Sequence, residues 1–294
     1  MSPISVLVVD DSVVVRRLVS NVLDAAPGIR VAGTASNGKV ALAKIPQLNP
    51  DIVTLDIEMP VMDGLETLVA LRAEYPRLPV IMFSTLTERG ASATLDAIER
   101  GANDYVTKPA NVGSVTASME AVRAQLIPKI KALVPQAVQL PPAPQRPASP
   151  ALSAAAAARP RPSGVPQQRV DAVVIGVSTG GPDALTTLIG ALPADLPVPV
   201  VVVQHMPPVF TALFAQRLNS KSPLQVDEAR AGDRPRPGSV LIAPGDFHLR
   251  LRTDRSGVVA VLDQGTPENY CRPAVDVLFR SAAETYGAGV LAVV

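Results

Sequence analysis

Tryptophan is absent from the sequence, and aromatic residues make up only 3% of it. The cores must therefore be built from Val, Leu, Ile and Ala, which the hydrophobic share of 47% supplies. The single cysteine, Cys271, excludes an internal disulfide and is compatible with a reducing compartment. No apolar run reaches the roughly 18 residues of a membrane span, and the N-terminus lacks the features of a signal peptide. We therefore expect a cytoplasmic protein without direct membrane insertion.

Charge and proline content set two further limits. With 27 Lys and Arg against 26 Asp and Glu, the net charge is +1, which argues against nucleic-acid binding through bulk electrostatics. Nine of the 30 prolines lie between Pro135 and Pro166, where large apolar residues are scarce. Such a stretch buries too little surface to offset the entropy of ordering it. The 294 residues are therefore divided into a domain over 1–125, a Pro/Ala-rich linker over 126–168 and a domain over 169–294.

The first domain alternates short β-branched runs with helical stretches. The runs are "ISVLVVD", "RVAGTA", "DIVTLD", "LPVIMFS" and "DYVTKP", and stretches such as "GLETLVALRAEY" lie between them. Five strands alternating with helices predict a parallel sheet covered on both faces, in a doubly wound, flavodoxin-like α/β fold.

The second domain repeats this alternation. Strands are predicted at "VDAVVIGV", "PVPVVVVQH" and "GSVLIAPG", with helices near 182–191 and 208–219, and a last strand begins in "GVLAVV". The pattern predicts a Rossmann-like parallel α/β domain.

Polar side chains collect at the predicted carboxyl ends of strands in the first domain, where doubly wound sheets bind ligands. They are Asp10, Asp11, Asp56, Ser84 and Lys108. Clustered carboxylates repel one another, and a divalent cation such as Mg²⁺ relieves this repulsion. Asp56 could then attack a phosphoryl group whose oxygens are held by Lys108 and Ser84. Taken singly, such residues are more often helix caps and loop residues, but their joint placement favours a site.

The segments "VDDS", "DIVTLDIEMPVMDGLE", "VIMFST" and "DYVTKP" resemble the response-regulator receiver domain across nearly all of residues 1–125. The resemblance implies that Asp56 is the phospho-acceptor. It also implies an acidic Mg²⁺ pocket formed by Asp10, Asp11, Asp56 and the backbone carbonyl of Glu58.

The same resemblance assigns three further residues of the first domain. Ser84 and Lys108 are implied to bind the phosphoryl group, and Tyr105 matches the aromatic switch position. Alternatively, Tyr105 simply covers the edge of the sheet.

In the second domain, "GVSTG" fits the G-x-S-x-G pattern of a nucleophile elbow, with a strand predicted before it and a helix after it. Three alternatives compete with a nucleophilic Ser178. Ser178 or Thr179 could cap the helix, the glycines could bind phosphate at the helix N-terminus, or the short match could be accidental.

Two histidines are present, and their positions differ. His205 closes the next predicted strand, on the same carboxyl edge as Ser178, where a neutral imidazole could accept the serine proton. His248 lies several residues past its strand and is the weaker candidate for the base.

The segments "IGVSTGGPDAL", "VVVQHMPPVFTALFAQRL", "VLIAPGDFHL" and "CRPAVDVLFRSAA" resemble the catalytic domain of the chemotaxis protein-glutamate methylesterases, the CheB family, over most of residues 170–294. The order of receiver, linker and hydrolase domain is also that family's. The resemblance implies that Ser178 is the nucleophile, that His205 is the general base and that Thr179 belongs to the site.

One departure from that family's pattern concerns the end of the chain. The family's catalytic aspartate follows the strand that "GVLAVV" begins, and this chain ends at Val294. We therefore expect the third triad member to be absent and the hydrolase domain to be incomplete, in either a fragment or a truncated product. Asp183, Asp246 and Asp276 match other family positions and are not assigned to the triad.

The leading hypothesis is a phosphorylation-regulated hydrolase that demethylates glutamate esters on methyl-accepting chemotaxis receptors and deamidates receptor glutamines. A chemotaxis histidine kinase is the implied phosphodonor, and no cofactor is implied for the hydrolase site. A second hypothesis is an inactive response regulator that only accepts phosphoryl groups and binds partners. A third, a nucleotide-phosphate site at the glycine turn, is weaker because no acidic ribose-binding residue follows at the expected position.

Overall fold

The computed structural model describes residues 2–108, 115–134 and 169–294. These residues form two five-stranded sheets and one two-stranded hairpin. None of the helices in these ranges is long and apolar enough to cross a membrane.

The first sheet has the order β2-β1-β3-β4-β5, and each neighbouring pair is parallel. Its strands are β1 (Ile4–Val9), β2 (Ile29–Ala35), β3 (Ile52–Asp56), β4 (Val80–Ser84) and β5 (Asp104–Thr107). Its helices are α1 (Val13–Asp24), α2 (Gly38–Leu48), α3 (Gly64–Glu74), α4 (Glu88–Glu99) and α5 (Val115–Leu133). This order confirms the doubly wound, flavodoxin-like fold, with its switch point between β1 and β3.

Short polar residues define where helices of this domain begin. The Ser12 side chain accepts a hydrogen bond from the Val15 backbone N–H at the start of α1. Asp63 and Glu66 form a capping box at the start of α3. Both helices therefore start directly behind the strand ends that carry the polar cluster.

The predicted start of the linker at 126 falls inside helix α5. Leu126 and Ile130 are fully buried in the core on one face of the first sheet, so their burial stabilises the helix as far as Leu133. The Pro128 ring between them does not end the helix. The part of the predicted linker over 135–168 lies outside the described residues.

The second sheet has the order β12-β6-β7-β9-β8, again with every pair parallel. Its strands are β6 (Ala172–Val177), β7 (Val200–Gln204), β8 (Gln225–Glu228), β9 (Ser239–Ile242) and β12 (Val290–Val293). The antiparallel hairpin consists of β10 (His248–Asp254) and β11 (Gly257–Asp263). The helices are α6 (Gly181–Ala191), α7 (Phe210–Lys221) and α8 (Val275–Tyr286). The parallel α/β prediction is confirmed, although β8, the hairpin and helix α8 were not predicted.

Two glycines of the "GVSTGG" turn allow elements to approach closely. A Cβ at Gly176 would lie 2.2 Å from Val275 Cγ1, and a Cβ at Gly181 would lie 2.0 Å from Gln204 Oε1. Both distances are far below van der Waals contact. A larger residue at Gly176 would push α8 away from the sheet, whereas one at Gly181 would displace the Gln204 side chain from its hydrogen bond to the Ser178 carbonyl.

We predict that Gly245→Ala destabilises the second domain, because its Cβ would lie 2.2 Å from the backbone nitrogen of Pro208. Relief requires backbone movement, so the free energy of unfolding should fall by about 1–3 kcal/mol in denaturant titrations. Gly190→Ala is the control, because its nearest neighbour would be the Lys221 carbonyl oxygen at 3.6 Å. At this penultimate position of helix α6, that change should stabilise by less than about 1 kcal/mol. Equal effects of the two changes would contradict this explanation.

Candidate functional site

The structure brings the acidic residues of the first domain together at the carboxyl edge of its sheet. Oxygen atoms of Asp10, Asp11 and Asp56 all lie within 4.8 Å of one another. The side chains of Asp10 and Asp56 are buried, whereas Asp11 is exposed. Asp56 also accepts a hydrogen bond of 2.8 Å from the Ile57 backbone N–H.

The Lys108 ammonium bridges the two buried carboxylates. Its Nζ lies 2.8 Å from Asp56 Oδ2 and 3.0 Å from Asp10 Oδ2. Burial raises the pKa of the Asp56 carboxyl from 3.8 to about 6, and Asp10 adds to this rise while Lys108 opposes it. Burial alone would lower the pKa of Lys108, but its contacts with Asp56 and Asp10 raise it above its usual value. The two buried carboxylates therefore share a single ammonium group.

A cavity of about 300 Å³ opens beside this cluster. Its lining includes Asp11, Asp56, Glu58, Ser84 and Lys108. The buried Ser84 hydroxyl donates to the Gly90 carbonyl at 3.0 Å. The Glu58 side chain points to solvent and pairs with Arg89 at 3.5 Å. The cavity thus has room for a small anion between Asp56, Lys108 and Ser84.

The donor set fits Mg²⁺. Asp10 Oδ2 and Asp56 Oδ2 are buried and accept no hydrogen bond apart from their ion pairs with Lys108. Carboxylate oxygens are the ligands that Mg²⁺ prefers, and the adjoining cavity leaves space for water or phosphoryl oxygens in its coordination shell.

Tyr105 lies in β5 and is buried against the second domain. Its ring stacks on the Phe210 ring at the start of α7, with centroids 4.9 Å apart and planes 9° apart. The Lys129 ammonium lies 5.2 Å from the Tyr105 ring centroid and 2.6 Å from Asp104 Oδ1. Tyr105 therefore covers more than a sheet edge, because it forms part of the contact between the two domains.

Ion pairs surround this aromatic contact. Arg217 Nη2 on α7 lies 2.6 Å from Asp96 Oδ1 on α4 and donates to the Ser92 carbonyl at 2.9 Å. Lys221 Nζ lies 2.8 Å from Glu99 Oε1. Although partial burial would raise the pKa of Glu99, the Lys221 and Arg217 cations lower it below its usual value. Helix α4 of the first domain is thus docked on α7 of the second.

The turn that carries Ser178 connects β6 to α6. The N-cap of α6 is Gly180, which adopts a left-handed conformation (φ 75°), and no side chain caps the helix. The helix-cap alternative for Ser178 and Thr179 is therefore wrong. Ser178 is exposed, and its backbone carbonyl accepts hydrogen bonds from the Gly181 N–H at 2.9 Å and Gln204 Nε2 at 3.1 Å.

The register of the sheet places His205 beside Ser178. Val177 at the end of β6 pairs with Gln204 at the end of β7, so the next residues on the two strands are Ser178 and His205. The His205 N–H donates to the Val177 carbonyl at 3.2 Å, which extends the pairing by one step. Ser178 and His205 thus share one carboxyl edge, as predicted.

The His205 imidazole is half-buried, and its Nδ1 atom lies 3.6 Å from Cys271 Sγ. Burial is the main cause that lowers its pKa; the Lys129 ammonium adds to this, and Asp276 opposes it. Burial also raises the pKa of the Cys271 thiol. In the tautomer whose Nδ1 carries the proton and donates to the Cys271 sulfur, Nε2 is the ring nitrogen able to accept a proton. No sequence motif indicated that Cys271 would lie beside His205.

His248 is fully buried and has partners on both ring nitrogens. Nδ1 accepts from the Ala274 N–H at 3.3 Å, and Nε2 lies 3.1 Å from the Thr266 carbonyl. The imidazole therefore joins the end of the hairpin to the start of α8, and neither nitrogen is available for proton transfer.

Comparisons with known proteins find relatives of both domains. The family model for the response regulator receiver domain matches residues 6–120, and the model for CheB methylesterase matches residues 173–294. The chain is 56% identical over 295 residues to the protein-glutamate methylesterase/protein-glutamine glutaminase of Nocardioides sp., covering 100% of this chain and 79% of that protein. The protein of the same description from Trichodesmium erythraeum is 49% identical over 294 residues, covering 100% and 82%.

Two solved structures from Thermotoga maritima are also similar. The CheB methylesterase catalytic domain is 49% identical with a TM-score of 0.41, covering 42% of this chain and 66% of that one. The response regulator domain of CheB is 40% identical with a TM-score of 0.41, covering 45% of this chain and 96% of that one. On the full-length identity to curated relatives and the two family models, the chain belongs to the protein-glutamate methylesterase/protein-glutamine glutaminase family, with a receiver domain followed by a CheB methylesterase domain.

Proposed function

We propose that this chain is a serine hydrolase, regulated by phosphorylation, that removes methyl esters from glutamate side chains of methyl-accepting chemotaxis receptors. The observation that carries the proposal is the pairing of β6 with β7, which brings Ser178 and His205 side by side at one sheet edge. Membership in the family supplies the substrate class, since its relatives are described as protein-glutamate methylesterases. The free thiol of Cys271 is compatible with action in the cytoplasm.

The chemistry follows from the two side chains. Ser178 Oγ attacks the ester carbonyl carbon while His205 Nε2 accepts the hydroxyl proton. The carbon–methoxy bond then breaks, and the imidazolium returns the proton so that methanol leaves. Water attacks the acyl-enzyme with His205 again as the base, which releases glutamate and restores the serine. Backbone N–H groups at the start of α6, together with Thr179, would donate hydrogen bonds to the oxyanion.

The same acyl chemistry supports deamidation of receptor glutamines. In that reaction Ser178 attacks the amide carbonyl carbon, and ammonia replaces methanol as the leaving group. The description of the relatives as protein-glutamine glutaminases supports this second activity.

The first domain supplies the regulation. A carboxylate oxygen of Asp56 attacks the phosphorus of a phosphohistidine on a chemotaxis histidine kinase, and the phosphorus–nitrogen bond breaks. Lys108 and Ser84 hold the transferred phosphoryl oxygens. Asp10, Asp11, Asp56 and the Glu58 carbonyl would hold Mg²⁺, which would neutralise charge on the carboxylates and the phosphoryl group.

Docking of the two domains links this switch to hydrolysis. Tyr105 stacks on Phe210, and the chain between His205 and Phe210 is only a short loop at the edge of the second sheet. Phosphorylation adds about two negative charges beside Lys108. A changed position of Tyr105 would alter its packing on Phe210 and release the receiver from α7, and with it the constraint on the loop that carries His205.

Loss of the nucleophile tests the hydrolase. Ser178→Ala should reduce methanol release from methylated receptor by about 10⁴-fold or more, since the hydroxyl that forms the acyl-enzyme is lost. Ser256→Ala, in the exposed turn between β10 and β11, is the matched control and should retain activity. Equal release by both variants would refute the site, and would favour a module that only accepts phosphoryl groups and binds partners.

Phosphorylation of Asp56 has its own test. Asp56→Asn should abolish labelling by acetyl phosphate, and chelation of divalent cations should abolish labelling of the unaltered protein. Asp63→Asn is the control, because an Asn caps helix α3 about as well as the Asp does. Labelling that persists in Asp56→Asn would identify a different acceptor.

The docking contact predicts a gain of activity. Arg217→Ala removes pairs with Asp96 and Glu99 across the domain contact, so methanol release by the unphosphorylated protein should rise about threefold to tenfold. Each partly exposed pair contributes at most about 1 kcal/mol, which limits the gain. Arg234→Ala, which breaks a pair with Asp254 within the second domain, should leave the basal rate unchanged. If the basal rate does not rise in Arg217→Ala, the contact of Arg217 with the receiver does not inhibit hydrolysis.

A further inference from the structure

Tyr270 has an unusual conformation for its residue type. It is fully exposed, and both it and Asn269 have positive φ angles, of 62° and 51°. The two residues are the centre of a tight turn in which the backbones of Glu268 and Cys271 exchange hydrogen bonds of 2.9 and 3.1 Å. Two consecutive positive φ angles define a type I′ turn, whose second central position favours Gly. A large aromatic residue there costs free energy and gains no packing in the described structure.

The turn is held firmly by helix α8. Both Nη atoms of Arg280 donate to the Glu268 carboxylate, at 2.7 and 2.6 Å. Asn269 Nδ2 donates to Asp276 Oδ2 at 2.9 Å. The turn therefore presents the Tyr270 ring to solvent from a rigid base, rather than as part of an open loop.

The turn also lies next to the hydrolase site. Cys271, the residue after Tyr270, contacts His205 Nδ1 at 3.6 Å. Docking of the receiver on α7 does not cover the ring, because Tyr270 is fully exposed with both domains in place. Tyr270 is thus a strained and exposed aromatic residue on an anchored turn, and the next residue contacts His205, which is the kind of arrangement that substrate contact explains.

We propose that Tyr270 is a recognition residue that packs against the polypeptide surface flanking the esterified glutamate of the protein substrate. The inference rests on the proposed function, because a protein substrate must present both its ester at Ser178 and the neighbouring surface at the rim of the site. A tyrosine suits this contact, since its ring offers a large apolar area and a hydroxyl while losing little conformational entropy. The contact forms whether or not the receiver is docked.

The test compares a protein substrate with a small ester, using the full chain and acetyl phosphate with Mg²⁺. For Tyr270→Ala, the ratio of kcat/KM on methylated receptor to kcat/KM on N-acetylglutamate γ-methyl ester should fall about tenfold, mainly through the KM for receptor. Tyr270→Phe should retain most of the ratio. Leu188→Ala, which removes another exposed apolar side chain of the same domain, should not change it. A ratio unchanged in Tyr270→Ala would overturn the proposal.

A change in folding is excluded by Tyr270→Gly. Glycine adopts positive φ without strain, so this variant should have a melting temperature no lower than that of the unaltered protein. Its ratio of kcat/KM on receptor to kcat/KM on the small ester should nevertheless fall as it does in Tyr270→Ala. An unchanged ratio in Tyr270→Gly would contradict the proposal that the Tyr270 ring contacts the receptor.

Binding without turnover separates this proposal from the proposed function. In a Ser178→Ala background, Tyr270→Ala should weaken co-sedimentation with membranes that contain methylated receptor about tenfold. Equal binding by the two proteins would refute recognition by Tyr270 even if Ser178 is the nucleophile. Weaker binding would support it even if methanol release does not depend on Ser178.

Discussion

Parallel pairing of neighbouring strands is the constraint on which both sites depend. Because the carboxyl ends of parallel strands lie at the same edge of a sheet, strand pairing alone brings residues that are far apart in sequence close together there. Asp10 follows β1, Asp56 is the last residue of the neighbouring strand β3, and Lys108 reaches both from the end of β5. Ser178 and His205 follow the neighbouring strands β6 and β7. A slip in either pairing would separate the reactive groups as well as the strands.

The stacking of Tyr105 on Phe210 connects these two edges physically. Tyr105 belongs to the strand that leads to Lys108, and Phe210 begins the helix that follows the His205 loop. Val209, between that loop and the helix, has a positive φ of 72°, a strained conformation for a β-branched residue. Tyr105 thus packs against the helix that follows this strained residue. A small movement of Tyr105 would therefore change the packing of the loop between His205 and Phe210.

The sequence predicted the elements whose pattern is local. The alternation of strand and helix patterns predicted the five strands of the first sheet and β6, β7, β9 and β12 of the second. The predicted strand ends located Asp56, Lys108, Ser178 and His205. The hairpin was missed although "HLRLRTD" alternates with period two, because its charged face resembles a loop. The linker boundary was misplaced because burial of Leu126, which keeps α5 helical past 126, depends on tertiary packing. The contact of Cys271 with His205 spans 66 residues and follows no motif.

The receiver contact and the turn with Tyr270 lie on different helices around His205. The receiver contacts α7, which follows the His205 loop, whereas the turn with Tyr270 is anchored to α8 and meets His205 through Cys271. If the receiver acts on the loop and the turn contacts substrate, docking alters the chemistry at Ser178 while leaving the Tyr270 surface uncovered. An inhibited protein can then remain bound to its substrate. Phosphorylation has to change only the packing of the loop that carries His205. Inhibition of this kind lowers kcat more than it raises KM.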